Sequence, residues 1–179
     1  MELEDLRFPV GRYQAVKLPN KDQIQEWISV LEDFPAHVIA STENLSSTEL
    51  NWKYRPDGWN IKQVVHHCAD SHLNSMMRFK LALTEDTPTI KTYMEAKWAN
   101  LPDSQVDEID ASISILVGLH EKLGILLRNL SDEQLKREYM HPEHGRTLTV
   151  EETIGLYAWH SNHHLAHIKN AIEFKGKYN

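Results

Sequence analysis

Cysteine is almost missing from this chain. The single Cys68 excludes an intrachain disulfide framework and fits a reducing cytoplasm. Positive charge is also scarce: 19 Lys and Arg against 26 Asp and Glu leave a formal charge of -7. The few lysines that cluster, Lys169, Lys175 and Lys177, lie at the C-terminal end. No basic stripe carries interleaved aromatics, so nucleic acid is not an expected partner. No apolar run reaches the roughly 18 residues a membrane span needs. The opening Met1-Glu-Leu-Glu-Asp is acidic without an apolar h-region, which reads against a signal peptide. Internal repeats and low-complexity stretches are missing too.

What is present is an ordinary globular composition, 41% hydrophobic and 25% charged, in 179 residues. That length suits one domain over 1–179 with a sizeable buried core. The unusual feature is histidine. There are eleven, unevenly spread.

The hydrophobic period predicts an all-α chain. Residues 1–20 show no sustained period and read as an extended N-terminal arm. Asn20 opens a helical pattern through Ile24, Ile28 and Leu31, which Pro35 should kink or break before Val38 and Ile39 resume it. Asn60 is a good N-cap for a helix from Ile61 to about Leu83. A long connection over 84–105 holds one short helix near Tyr93–Ala99, and a third long helix runs from about Val106 to Leu130. Residues 138–149 break the period around Gly145, which suggests a small hairpin or ordered loop. Thr149-Val-Glu-Glu152 is a capping box opening the last helix, which Gly176 stops after Phe174. Four long helices with one long crossover make a four-helix bundle.

The last helix carries His160-Ser-Asn-His163-His164-Leu-Ala-His167. Histidines four apart share a helix face, so His160/His164 and His163/His167 are both candidate metal pairs. His164 and His160 lie nearer the apolar stripe of Ile154, Tyr157, Ile168 and Ile172, while His163 lies furthest toward solvent. The inward pair is the better candidate, although a lone HxxxH is more often surface polarity or core histidine. Ser161 follows His160 where a zincin needs Glu, so this is not a zincin protease. The third ligand could be His66, His67, His72 or His120. Periodicity favours His72 and His120, but a histidine central in an apolar stripe is more often a hydrogen-bonded core residue. The spacing leaves this choice open.

The strings RPDGWNIKQVVHHCADSH (Arg55–His72) and YAWHSNHHLAHI (Tyr157–Ile168) resemble the DinB-like metalloprotein superfamily. More narrowly, they resemble its metal-dependent hydrolases that are also described as bacillithiol S-transferases. The likeness extends through DLRFPVG (Asp5–Gly11), RFKLALTEDTP (Arg78–Pro88), KWANLPDS (Lys97–Ser104) and HPEHG (His141–Gly145). It implies a four-helix bundle, a homodimer, and one divalent metal bound by His67, His160 and His164. His67 is chosen on the resemblance alone, as the histidine eight residues after Trp59.

Three neutral imidazoles leave the ion's charge uncompensated and suit zinc or nickel rather than magnesium or calcium. Bound water on such a site titrates near ~7, against about 15.7 in bulk, and a bound thiol is held as thiolate. The expected function is therefore a metal-dependent enzyme on a small-molecule substrate, as hydrolase or as bacillithiol S-transferase. Its reactive species would be water or thiolate at the metal, and no side chain stands out as catalytic. The competing reading is a non-catalytic module whose structural metal is closed by a fourth ligand. Cys68 reads as a small core residue. Arg55, Arg78 and Arg146 could hold a substrate carboxylate, and Trp59, Tyr93, Trp98 and Trp159 could line a pocket. Asp70 and Glu152 could orient ligand imidazoles. A solvated or salt-bridged surface role is the commoner use of such arginines, and helical core packing the commoner use of such aromatics.

Overall fold

The computed structural model describes residues 2–179. Its short N-terminal helix α1 (Leu3–Arg7) precedes the first long helix, α2 (Lys21–Thr42), and a single turn, α3 (Ser47–Leu50). Then come α4 (Ile61–Thr84), the short α5 (Glu95–Trp98), a 3-10 turn (Pro102–Ser104) and α6 (Asp110–Arg128). The short α7 (Asp132–Leu135), the strands β1 (Glu138–His141) and β2 (Arg146–Thr149), and the last helix α8 (Val150–Phe174) complete the chain.

Local chemistry sets the ends of the long helices. The Asn60 side chain accepts from the Gln63 N–H at 3.0 Å, and Thr149 Oγ1 accepts from the Glu152 N–H at 3.1 Å. At the far end of α8, Lys175 (φ 47°) and Gly176 (φ 75°) turn left-handed and stop it. The hairpin pairs Glu138 with Thr149 and His141 with Arg146, and Gly145 makes its tight turn at φ 62°. The crossover is tied to this hairpin: Met140 N–H donates to the Pro88 carbonyl, and Ile90 N–H to the Met140 carbonyl.

Helices α2, α6, α4 and α8 form the bundle in that ring order, with α2 and α4 across a diagonal. Two apolar clusters fill it. One holds Ile28, Leu31, Phe79, Leu123 and Ile154 toward the hairpin, and the other holds Phe34, Val64, Cys68, Leu116 and Ile168 toward the opposite end. Along α4, α6 and α8 the junction between these clusters is histidine: His72, His120, and His160 with His164.

Three expectations need correction. The arm is not wholly extended, because Leu6 is buried and Glu2 N–H donates to Asp5 Oδ2, which holds a short helix. Pro35 does not break α2, which runs unbroken from Lys21 to Thr42. The carbonyl it deprives of a helical partner, Leu31 O, accepts a hydrogen bond from His120 Nδ1 at 2.5 Å instead. Helix α6 starts at Asp110 rather than Val106, since the preceding loop is pinned. Asp107 accepts from Lys62 Nζ at 2.6 Å and from Ser47 and Asn51, while His66 Nε2 donates to the Val106 carbonyl at 3.2 Å.

Candidate metal centre

Helix α4 brings His67 to the two inward histidines of α8. One ring nitrogen each from His67, His160 and His164 lies within 4.8 Å of the others. The ring centroids stand 4.4 Å apart for His160 and His164, 4.8 Å for His67 and His164, and 5.4 Å for His67 and His160. His67 and His164 are buried and His160 is half-buried. Trp59 packs on the His67 ring with centroids 4.7 Å apart. Burial holds His67 down to about 4 and keeps His160 and His164 well below the ordinary histidine value. The three rings are therefore neutral near pH 7 and offer lone pairs.

A second group, His163, His164 and His167, is equally close. Its His167 is already engaged on both sides, with Nε2 3.3 Å from the Arg7 carbonyl and Nδ1 3.4 Å from His164 Nδ1. His163 does not face solvent as its position on the helix suggests, being only 7% exposed. Phe8 of the arm covers it, Trp159 stacks on it at 4.5 Å, and Trp159 Nε1 donates to the Gly11 carbonyl. Arm residues have no helical period of their own, so periodicity within α8 cannot register this cover.

The two histidines favoured by periodicity are core residues, 0% and 1% exposed for His72 and His120. His72 Nδ1 lies 2.8 Å from His120 Nε2, and His72 Nε2 lies 3.1 Å from His160 Nδ1. Phe34 stacks on the His72 ring. His66, the fourth candidate, bonds Ser112 and the Val106 carbonyl. Asp70 and Glu152 do not orient ligand imidazoles among the described residues. Asp70 faces a different cavity with Asp103 and His66, and Glu152 caps α8 and pairs with Arg146. Imidazoles occupy the place expected for those carboxylates.

The centre opens on a cavity of about 200 Å³ lined by Ser71, Arg78, Tyr93, Glu95, His141 and His160. The crossover and the hairpin wall it in. Arg78 Nη1 donates to Tyr157 Oη at 3.2 Å, and Tyr157 Oη donates to the Ser71 carbonyl at 3.2 Å. Arg78 Nε, Tyr93 Oη and His141 Nδ1 are buried without a partner among the described residues. Glu95 is exposed at the edge of the cavity, and partial desolvation there, with the nearby Glu143, raises its carboxyl from the ordinary value. Glu95 and His141 are cavity residues that sequence reasoning missed, because each comes from a segment far from either histidine string. Of the three candidate arginines only Arg78 lines this cavity; Arg55 bonds the neighbouring Pro56 carbonyl and Arg146 pairs with Glu152. Of the four aromatics, Tyr93 lines the cavity and Trp59 backs His67, whereas Trp98 packs against Tyr93 and Trp159 on His163. Cys68 is fully buried and its thiol is pushed up by that burial. A larger groove of about 500 Å³ between α2 and α6 is lined by Pro35, Ile39 and Val117 and includes none of His67, His160 and His164.

The structure is a helical bundle with buried, converging imidazoles and a polar cavity beside them. The chain belongs to the DinB superfamily, whose family model matches residues 30–168. It is 44% identical over 164 residues to the protein named "Putative metal-dependent hydrolase YfiT" of Bacillus subtilis, covering 92% of each chain. It is 45% identical over 168 residues to the similarly named BH0277 of Halalkalibacterium halodurans, covering 94% of this chain and 97% of that one. The solved structure of Bacillus subtilis YfiT, described as having an unusual four-helix bundle topology, superposes with a TM-score of 0.93 at 43% identity, over 96% of this chain and 98% of that one. A mycothiol-dependent maleylpyruvate isomerase shares the fold at a TM-score of 0.64 and 18% identity, over 84% of this chain and 61% of that one. Among the described residues no helix is long and apolar enough to cross a membrane.

Proposed function

We propose that His67, His160 and His164 hold one divalent metal ion, zinc or nickel, and that the chain is a metal-dependent enzyme acting on a small polar molecule in the adjoining cavity. The observation that carries this reading is the convergence of three neutral imidazoles beside a cavity lined by charged and hydroxyl groups. The donor set fits the ion. All three groups are uncharged at neutral pH, which metal ligation by imidazole requires, and none has to be deprotonated first. His163 and His167 form a second close group with His164, in which His163 Nδ1 is buried without a partner among the described residues; the resemblance and the cavity beside His160 favour His67, His160 and His164 as the set. When bound, the ion supplies Lewis acidity and acidifies water or thiol beside it. The protein's own part is to keep the imidazoles neutral and to shield the site. Arg78 offers positive charge to the substrate, and Glu95, its affinity for protons raised, accepts one within the cavity. Names of the relatives and the presence of Glu95 favour hydrolysis.

Transfer of a small thiol, bacillithiol, to an electrophile is the second reading. It is supported by the resemblance of the histidine strings and by the unpartnered donors Arg78 Nε and Tyr93 Oη, which suit a thiol bearing carboxylates. The test is a comparison of metal-loaded protein with and without bacillithiol. Conjugation of monochlorobimane only when thiol is present, lost in His67→Ala, selects transfer. Ester or amide hydrolysis without thiol, lost in both His67→Ala and Glu95→Gln, selects hydrolysis. No activity in either assay, with full metal content, would favour a structural metal.

We also assign the chain to the cytoplasm, on its single Cys68, and to a homodimer, on the resemblance. The exposed Met94, Trp98 and Leu101 of the crossover supply apolar surface for such contact. Sedimentation as a single 20.8 kDa species at micromolar concentration would contradict the dimer.

A further inference from the structure

Hydrogen-bond polarity around the candidate ligands can be read from fixed points. A backbone carbonyl only accepts, so the ring nitrogen facing it must carry the proton. Leu31 O, freed by Pro35, faces His120 Nδ1 at 2.5 Å, which makes that nitrogen N–H. His120 is 1% exposed and neutral, so its Nε2 is a bare acceptor. His72 Nδ1 must then donate to it across 2.8 Å, leaving His72 Nε2 bare. His160 Nδ1 in turn donates to His72 Nε2 across 3.1 Å. The outcome is that His160 Nε2 carries a lone pair. Ser71 Oγ, 3.4 Å from that nitrogen, can donate to this lone pair in the metal-free chain and would have to yield it to a bound ion.

A second carbonyl fixes His164 in the same way. Arg7 O faces His167 Nε2 at 3.3 Å, so His167 Nδ1 is the acceptor. His164 Nδ1 donates to it at 3.4 Å, and His164 Nε2 is left bare. Both chains therefore end on the same tautomer, with the proton on Nδ1, opposite to the form that free imidazole side chains prefer in water. Two independent carbonyls, on α1 and α2, impose it.

We propose that the imidazole chains Leu31 O–His120–His72–His160 and Arg7 O–His167–His164 lock both α8 histidines as Nδ1–H tautomers and so present both Nε2 lone pairs to the metal. This rests on the reading that His160 and His164 are ligands. His72, His120 and His167 are positioning residues. Each replaces the carboxylate or carbonyl that normally fixes a ligand imidazole, and the hydrogen bond makes the ligand nitrogen more basic.

Long-range proton–nitrogen spectra of the metal-free chain, labelled at histidine nitrogens, provide the first test. His160 and His164 should both show Nδ1–H and a bare Nε2. A proton on Nε2 of either one overturns the proposal, whatever the metal content. Zinc competition titrations provide the second. His72→Leu, His120→Leu and His167→Leu should each weaken zinc binding by about 10–100-fold. His72→Gln and His120→Gln should stay near wild type, because a Gln amide both donates and accepts, in the same sense as the imidazole. Equal affinities for the Leu and Gln variants would reduce these residues to packing and refute the chains. Should a Leu variant fail to fold, the wild-type tautomers still decide. The metal reading is tested separately: wild-type protein that binds no zinc refutes both ideas, whereas zinc bound with an Nε2–H tautomer refutes the chains alone.

Discussion

The two imidazole chains end on neighbouring turns of one helix but are anchored in different parts of the molecule. The His160 chain runs through the bundle, with spacings of 2.5, 2.8 and 3.1 Å, and its two intermediate rings are essentially inaccessible. The His164 chain is shorter, its spacings are 3.3 and 3.4 Å, and it ends on a carbonyl of the five-residue α1. Its one intermediate, His167, is clamped by Tyr54 with ring centroids 3.8 Å apart. A hydrogen bond of 2.8 Å between buried groups is strong and costly to break, whereas one at 3.4 Å is at the edge of useful geometry. Of the two α8 histidines proposed as ligands, one is thus fixed by the core and the other by a peripheral segment. The centre's integrity depends on both, but the energetic cost of losing them differs.

The largest effect expected is loss of the metal itself. Elemental analysis of His67→Ala, His160→Ala and His164→Ala should find each one empty, while His163→Ala keeps its ion. Metal retained in His67→Ala and lost in His72→Ala would overturn the ligand assignment. Folding should survive in the chelated protein, because two apolar clusters fill the bundle independently of any ion. Circular dichroism should show an unchanged helix signal and a cooperative transition at lower temperature. A chelated chain without a cooperative transition would make the metal structural.

A smaller effect separates the two chains. Deleting residues 2–11 removes the Arg7 carbonyl and the Phe8 cover of His163, but touches nothing in the Leu31–His120–His72 series. Nitrogen spectra of the truncated, metal-free protein should show His164 sampling both tautomers and His160 unchanged. Zinc affinity should fall about tenfold, the low end of what such outer contacts contribute. An equal disturbance of His160 would show that the chains are not independent.

Much of this was legible in the sequence, and the reason is periodicity. The four long helices, their Asn60 and Thr149 caps and the hairpin turn at Gly145 follow local rules that act within a few residues. The same rule proposes His160 and His164 as the inward pair, but it does not register that His163 and His167 are buried as well. His67, by contrast, flanks its apolar stripe, and only the family resemblance selects it. His72 and His120 are attractive as ligands on period alone, yet they point to each other. No spacing rule registers a pair separated by 48 residues. Glu95 and His141 enter the cavity from the crossover and the hairpin, segments whose docking no local pattern encodes. The α1 arm is the clearest case: five helical residues decide the state of a histidine 157 positions away, since 164 minus 7 is 157.

Acid should probe both chains more gently. Burial lowers His67 and His120 to about 4 and His167 to about 3. Between the ordinary value of about 6.5 and those lowered values the unfolded chain takes up protons that the native chain refuses. Stability contributed by these rings is therefore complete above about pH 6.5 and is lost as pH falls toward 4, at roughly 1.4 kcal/mol per pH unit for each proton. The metal-free protein should show this slope in urea titrations across pH 4–6.5. His120→Gln and His167→Gln should each reduce it by about one proton. A slope unchanged in both variants would mean that neither ring is held neutral by the fold.

The smallest effect concerns Pro35, and it tests where the core chain begins. Proline inside a helix ordinarily costs about 3 kcal/mol relative to alanine, through a lost hydrogen bond and a clash with the carbonyl four residues earlier. That carbonyl is Leu31 O, and it does not go unsatisfied, because His120 Nδ1 donates to it. Pro35→Ala restores an N–H that competes for the same oxygen. The helix gains propensity, while the buried imidazole loses part of a hydrogen bond worth about 1 kcal/mol and upwards. The two changes oppose each other, so the stability gain should be about 1–2 kcal/mol rather than the full alanine advantage of about 3. Zinc affinity should fall by a few-fold, and His120 should show partial exchange of its Nδ1 proton to Nε2. The full gain in stability, with zinc affinity and the His120 spectrum unchanged, would show that Leu31 O can serve both donors at once. The proline would then be an ordinary helix defect rather than the origin of the chain.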